Sequence, residues 1–428
     1  MKHSKNVAQA RWMTGVVVLL ALGRSAGAAE ALTLDEYFAA ALERSEVVAT
    51  QVELIRQAEE RHKQAGGALL PTVEGIGSYS WRDRASIDTT MNPVREPHAR
   101  IAATQPLFRG FREFAALRQA RALIDAQSAD YRQARVQLFK DVTQNFFDVL
   151  ALEKDLVNLD EQIGHNLRRE KELRDRARIG RTRTGEVLTV QAEISALRAQ
   201  IQQLRAQLSA AREAFAFLSG LPAATPLRDT VALPDEAAPL EDLLARIEQR
   251  PDVRAAKQRV TAANENIDVA RGAHLPSLDL HANRYLERRG TLADVDWDVQ
   301  LALTVPIYAG GATQSLVRES VSIRDQAELA LSQVSRFAAQ EIRALHQSVD
   351  LDRAQLEAFE MATEAARKNY EVQLRDYRLG LVTNLDVLQA LTDFQENRRA
   401  LDRARFAAKL NYLRLEAAAV RRPAPVSP

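Results

Sequence analysis

Apolar and polar residues alternate one by one in four short stretches, and steps of three and four fill most of what lies between. The cleanest alternation is Trp297 to Thr304. Trp297, Val299, Leu301 and Leu303 fall on one side, and Asp298, Gln300, Ala302 and Thr304 on the other. Successive side chains of a strand point to opposite faces. Such a strand could put one face against lipid and the other against water, and its length suits a tilted membrane strand. A soluble sheet with one core face alternates in the same way, so this strand alone leaves both open. Ser277 to Leu286 repeats the pattern, with Leu278, Leu280 and Ala282 opposite Asp279, His281 and Asn283. Thr72 to Trp81 places Val73, Gly75, Gly77, Tyr79 and Trp81 on one side, and a further strand is predicted over roughly His98 to Gln105. Arg82 to Pro97, with prolines at Pro93 and Pro97, reads as an exposed loop, and Arg288 to Asp294 as an exposed turn.

The helical segments are long. Thr33 and Glu36 form a capping box that starts a helix from Leu34 to about Arg44. Another runs from about Val47 to Ala65, stopped by Gly66-Gly67. Arg112 to Arg178 holds no proline and no glycine except Gly164, which predicts a rod of roughly 100 Å. Gly180 breaks it, and Thr184 to Leu218 returns. Ile194, Leu197, Ile201, Leu204, Leu208, Ala211, Phe215 and Leu218 form a heptad seam on this return helix. Leu240 to Gln249 predicts a short helix, and Pro251 opens another that ends near Gly272. A second rod spans about Gln314 to Arg378, ended by Gly380, and a last helix covers about Asn384 to Ala419. Each return helix is too short to line its rod. Stacked end to end with the shorter helix of its own half, it nearly does.

These elements repeat. Thr104-Gln105-Pro106-Leu107-Phe108-Arg109-Gly110 is matched by Thr304-Val305-Pro306-Ile307-Tyr308-Ala309-Gly310. Gly67 to Val73 echoes Gly272 to Leu278, and the phrase after Gly180 echoes the one after Gly380. Three matches in one order indicate duplication. Pro106 and Gly110, like Pro306 and Gly310, are predicted to turn a strand into a rod. The order divides the chain into residues 1–28, a first repeat over 29–222, a linker over 223–250 expected to wrap the rods, a second repeat over 251–420, and a disordered tail over 421–428.

Composition narrows the setting. Lys2, Lys5 and Arg11, the apolar run Met13 to Leu22 and the small residues Ala26-Gly27-Ala28 read as a secretory signal. Cysteine is absent, which excludes disulfides and a lipidated cysteine. The net charge of +1 gives no basic signal for nucleic acid. No later stretch resembles a transmembrane helix, so membrane entry must use strands. Four strands cannot close a barrel, and open edges must be paired, which requires an oligomer. The seven histidines are scattered, and no catalytic set, metal cluster or nucleotide loop emerges.

With its signal peptide, the duplicated Pro-(Leu/Ile)-aromatic-x-Gly phrase and the Gly380 to Leu388 turn before a long helix, the chain resembles the TolC-type outer-membrane channel proteins. The resemblance covers roughly Leu32 to Ala418. It implies a mainly α protein with membrane β structure: a homotrimer whose twelve-stranded barrel, four strands per chain, continues into an α-helical periplasmic barrel. It implies passive conduction for a tripartite efflux pump or a type I secretion system, not enzyme activity or a cofactor. The partners it implies are outer-membrane lipid, a periplasmic adaptor and an inner-membrane pump of RND or ABC type. Tyr377 and Asp386 match the residues that hold or line the family's periplasmic constriction. Val382 and Gln389 depart from the usual arginine and second acid, so the closed-state latch is expected to differ or to use Arg181, Arg183 and Glu186. The turns marked by Gly180 and Val187, and by Gly380 and Leu385, are the expected adaptor-docking surfaces. The competing readings are a periplasmic adaptor and a coiled-coil scaffold without a pore.

Overall fold

The computed structural model describes residues 31–81, 83, 95–234, 236–289 and 292–421. The expected signal peptide and residues 422–428 of the expected tail lie outside the described residues. Helices α1 (Leu34–Arg44) and α2 (Glu46–Gly67) lead into strands β1 (Thr72–Trp81) and β2 (Arg95–Arg109). The first rod, α3 (Arg112–Arg178), and its return, α4 (Thr184–Ser219), follow. After the linker come α5 (Leu240–Leu244), a 3-10 turn over Ile247–Gln249, and α6 (Pro251–Gly272). The chain then repeats the plan with β3 (Ser277–Glu287), β4 (Trp297–Thr304), the second rod α7 (Ala312–Leu379) and α8 (Asn384–Ala418).

The four strands form one antiparallel sheet in the order β1-β2-β3-β4, so the two halves meet at the β2–β3 pair. Register makes one face continuous. Leu303 pairs with Leu278, Leu301 with Leu280 and Val299 with Ala282. Ala282 in turn pairs with Ala103, and Ala103 with Val73. An apolar face thus crosses all four strands. The other face is polar: Thr104 meets His281 Nδ1 at 3.1 Å, Arg109 donates to Asp279 at 2.8 Å, and Asn283 donates to Asp298 at 3.1 Å. β1 and β4 are the sheet's edges.

Two strand boundaries differ from the sequence pattern. β2 begins at Arg95, inside the expected loop, and continues through Pro106 to Arg109 instead of stopping at Gln105. Pairing with β1 ends at Thr104, but β3 goes on pairing to Arg109, and the missing proline N–H is absorbed as a register shift between Pro106 and Phe108. Pro306 follows the sequence expectation: β4 is an edge strand and ends at Thr304. The two copies of the phrase therefore play different roles. Gly110 adopts φ +70°, and a Cβ there would sit 2.3 Å from the Gly272 carbonyl oxygen. The end of α6 presses on the start of α3 at this point. Gly310 (φ +61°) faces open space. The expected helix over 240–249 is also interrupted: α5 ends at Leu244, a 3-10 turn covers Ile247–Gln249, and Arg250 before Pro251 is extended at ψ 138°.

Both short helices of the first half line α3, as their lengths predict, and α6 with α8 lines α7. The cross-half contacts are the addition. α3 packs against α6 and α8 as well, so α3 is flanked by two stacked helical returns. The heptad seam of α4 closes on α3, with Ile194, Leu197, Ile201, Leu204 and Phe215 buried and Leu208 and Ala211 half-buried. The linker hydrogen-bonds back to the N-terminal segment, Leu32 N–H to the Pro226 carbonyl and Arg228 N–H to the Leu32 carbonyl. It also lies against the second half, where Arg353 donates to the Pro234 carbonyl at 2.9 Å. Along the far flank of α7 every seventh residue is apolar, from Leu316 through Ile323, Phe337, Leu351 and Val372 to Leu379, with alanine at the intervening heptad positions. All of these are exposed in the single chain.

A charged joint fastens the stack where α8 ends and α6 begins. Arg250 is only 4% exposed. It donates to the Ala418 carbonyl (3.1 Å) and to Asp252 (2.8 Å), and it pairs with Glu341 of α7 (2.8 Å). Lys140 of α3 donates to the same glutamate at 2.5 Å. The buried guanidinium joins α6, α7 and α8, and Lys140 adds α3 through the shared glutamate.

Candidate functional site

The strands lie at one end of both rods and the two helix-to-helix turns at the other. The turns share one geometry. After α3, Gly180 (φ +69°) lets Arg181 N–H reach back to the Arg176 carbonyl at 2.8 Å. After α7, Gly380 (φ +78°) lets Leu381 N–H reach the Asp376 carbonyl at 2.9 Å. A glycine at this place avoids the Cβ penalty of the left-handed conformation and satisfies carbonyls left open at a helix end. Beneath the turns, Leu173, Val187, Val190, Ile194, Tyr377, Val387 and Leu388 form one apolar cluster.

Tyr377 is buried in that cluster, under Arg169 and Arg176 of α3, whose guanidinium carbons lie 3.7 and 4.9 Å from the ring centroid. Arg169 also donates Nε–H to Asn384 Oδ1 at 2.8 Å and pairs with Glu172 at 3.0 Å, and Glu172 accepts from Arg176 at 2.8 Å. Arg169, itself buried, thus joins the first rod to the end of the second and to the start of α8. Neither Arg169 nor Asn384 stands out in the sequence. The rod carries many arginines, and only the Arg169, Glu172, Arg176 spacing hints that two of them share a face with a glutamate.

Asp386 is exposed and closes the capping box of α8. Thr383 donates to its Oδ2 from Oγ1 (2.6 Å) and from the backbone N–H (2.8 Å), and Asp386 N–H donates to Thr383 Oγ1 at 3.3 Å. The Thr383 side chain, then its backbone N–H, holds the carboxyl below the usual aspartate range. Oδ1 is left for water or a cation. Glu186, half-buried at the matching place of the first turn, has one carboxylate oxygen that meets no donor among the described residues. Arg183 is the N-cap of α4 but makes no side-chain cap, and Arg181 is exposed beside it. Gln389 is engaged within its own helix, donating to Asp393 at 2.8 Å.

One expected docking residue is misplaced. Val187 is 7% exposed and packs in the cluster, because its helix turns that face toward Leu173 and Tyr377. Leu385 is 66% exposed, and Leu379 and Leu381 at the same turn and Ile179 and Leu188 at the first turn are exposed as well.

A sheet with one apolar and one polar face and two edges to be paired, carried on rods about 100 Å long, defines a subunit of an outer-membrane channel. No helix among the described residues is long and apolar enough to cross a membrane. The chain belongs to the outer membrane efflux protein family, whose sequence model matches residues 38–221 and 245–419. It is 24% identical to outer membrane protein TolC of Vibrio cholerae over 309 residues, 68% of this chain and 70% of that one. It is also 24% identical to the alkaline protease secretion protein AprF of Pseudomonas aeruginosa, over 92% of this chain and 85% of that one. The solved structure of the outer membrane protein VceC from Vibrio cholerae superposes with a TM-score of 0.81 at 18% identity, covering 90% of this chain and 95% of that one. The chain is an outer-membrane channel subunit for efflux or type I secretion, with the fold of the trimeric channels, and not an enzyme. The family sets aside the adaptor and scaffold readings.

Proposed function

We propose that three copies close a twelve-stranded barrel and form the passive exit duct of a tripartite assembly, with a periplasmic adaptor at the helical tips and an inner-membrane pump of RND or ABC type supplying energy. The observation that carries this reading is the apolar row Val73, Ala103, Ala282 and Val299 that crosses β1 to β4, opposite a polar face, in a sheet whose two edges await strands. In lipid every backbone group must be paired, so those edges close only on further copies. The polar face then lines water, and solute crosses without dissolving in hydrocarbon.

The narrowest point of this duct is assigned to the tips. Threefold symmetry gathers three Asp386 carboxylates, and three Glu186 beside them, into an acidic ring that attracts cations. Tyr377 and its arginines hold the tip closed from behind, and Arg181 and Arg183 are the cations free to pair with a neighbour's acid. Leu385, with Leu381 and Leu188, offers the adaptor an apolar contact around the Gly180 and Gly380 turns. Single-channel conductance of the purified protein in a planar bilayer tests the duct. Stable, cation-preferring pores are expected, and well-folded protein that forms no pores would overturn it.

A further inference from the structure

The contact between α3 and α6 carries two arginines that its packing does not use. Across it Arg118 pairs with Glu265 at 2.8 Å, and Arg259 pairs with Asp130. Arg132 of α3 and Arg254 of α6 stand at the same contact. Both are exposed, and neither meets a carboxylate among the described residues. They line one groove of about 610 Å³, together with Asp125, Lys257 and the 3-10 turn residues Glu248 and Gln249. Asp125 and Arg132 share a face of α3 at a spacing of two turns, and Arg254 and Lys257 share a face of α6 at a spacing of one. Two helix faces thus bring their charges to one space.

The repeated plan does not require these cations. The α7 counterpart of Arg132 is Ser332. On α2, the counterpart of α6, Ala49 and Val52 stand where Arg254 and Lys257 do. All three cations are additions of one half. Residues 125–132 lie about 20–30 Å along α3 from its start beneath the sheet, in the periplasm and short of the tips. Arg132 precedes Phe139 and Phe146 by one and two heptads, and both phenylalanines are buried in the core that α1 and the linker cover. The groove therefore opens on the side of the rods that carries α1 and the linker.

Its mixed charge selects a ligand. Two arginine forks suit carboxylate and phosphate alike. Asp125 and Glu248 would repel a plain anion but suit an ammonium group. Their pairs within the chain, with Arg121 at 3.9 Å and Lys257 at 3.4 Å, are solvent-exposed and weak. A space of this size holds a molecule of a few residues better than a lone ion.

We propose that this groove binds a short zwitterionic peptide of the class carried by the periplasmic cell wall, with its carboxylates on Arg132 and Arg254 and its ammonium on Asp125 and Glu248. Such a contact ties the duct to the wall. The proposal rests on the channel reading only for its place in the periplasm. Calorimetric titration of the full protein in detergent with L-Ala-γ-D-Glu-diaminopimelate tests it. Saturable binding is expected, weakened by salt and weakened about tenfold or more by Arg132→Gln or Arg254→Gln. The same peptide with its carboxylates amidated should not bind. No binding of the free peptide, or binding that both variants leave unchanged, overturns the site. Pyrophosphate binding more tightly than the peptide overturns the ligand class. Both variants should conduct in a planar bilayer as the native protein does, so a failure of the channel reading shows in conductance and a failure of the groove in calorimetry.

Discussion

The guanidinium of Arg169 stands 3.7 Å from the centre of the Tyr377 ring while its Nε–H is held by Asn384 at 2.8 Å. Two rods and the last helix are therefore tied at one residue, just behind the turns that form the tip. A tyrosine that the sequence suggests as a gate acts as a joint, and its ring lies inside the protein.

Tyr377→Ala should loosen this joint by about 1–2 kcal/mol. Arg169→Ala should also expose it, while Tyr377→Phe keeps the ring under the cation and should change little. Hydrogen exchange over residues 370–390 reads the effect. Faster exchange there in Tyr377→Ala and Arg169→Ala, with larger single-channel conductance, is the expected outcome.

Asp386 serves two roles that a pair of variants separates. Asp386→Ala removes both its half of the capping box and the charge, whereas Asp386→Asn keeps a side-chain oxygen that can accept from the Thr383 N–H and removes only the charge. Reduced cation preference in both variants is expected if the ring sits on the pore axis. Because Thr383 depresses the folded-state pKa, the charge and the cap persist below the usual aspartate range and are lost only as pH falls through that lowered value. Cation selectivity measured against pH should therefore survive mild acid.

Leu385→Glu and Val187→Glu should fail differently. Leu385 is exposed, so its variant should fold, form trimers and lose crosslinking to the adaptor. Val187 is buried, and a carboxylate there has no partner, so the tip should unfold locally. Protease cleavage near the turns in the Val187 variant alone would show the difference.

Arg250→Ala leaves Glu341 without its second cation in a buried joint and should destabilise the helical region by about 3–5 kcal/mol, read by thermal unfolding. Burial by itself would raise the Glu341 carboxyl. Lys140 and Arg250 more than offset this and hold it below the usual glutamate range. The stabilisation is thus complete above the unfolded pKa and declines as pH falls through the lowered folded value. Melting temperature should drop in acid in the native protein, and less steeply in Arg250→Ala.

What was legible in the sequence was local or repeated. Rod lengths, the capping box at Thr33, the strand alternation at Trp297–Thr304 and the duplication can all be read there, because hydrogen bonding within a helix and the two faces of a strand depend on neighbours in the chain. The tertiary structure alone decided what each flank meets. Pro106 lies within β2 because β3 goes on pairing past it to Arg109, while Pro306 stands past the end of an edge strand. Val187 is buried and Leu385 exposed because a helix face becomes core only when another helix covers it. Arg169 gained its position from two elements more than 200 residues away, a distance that no periodicity along the chain records.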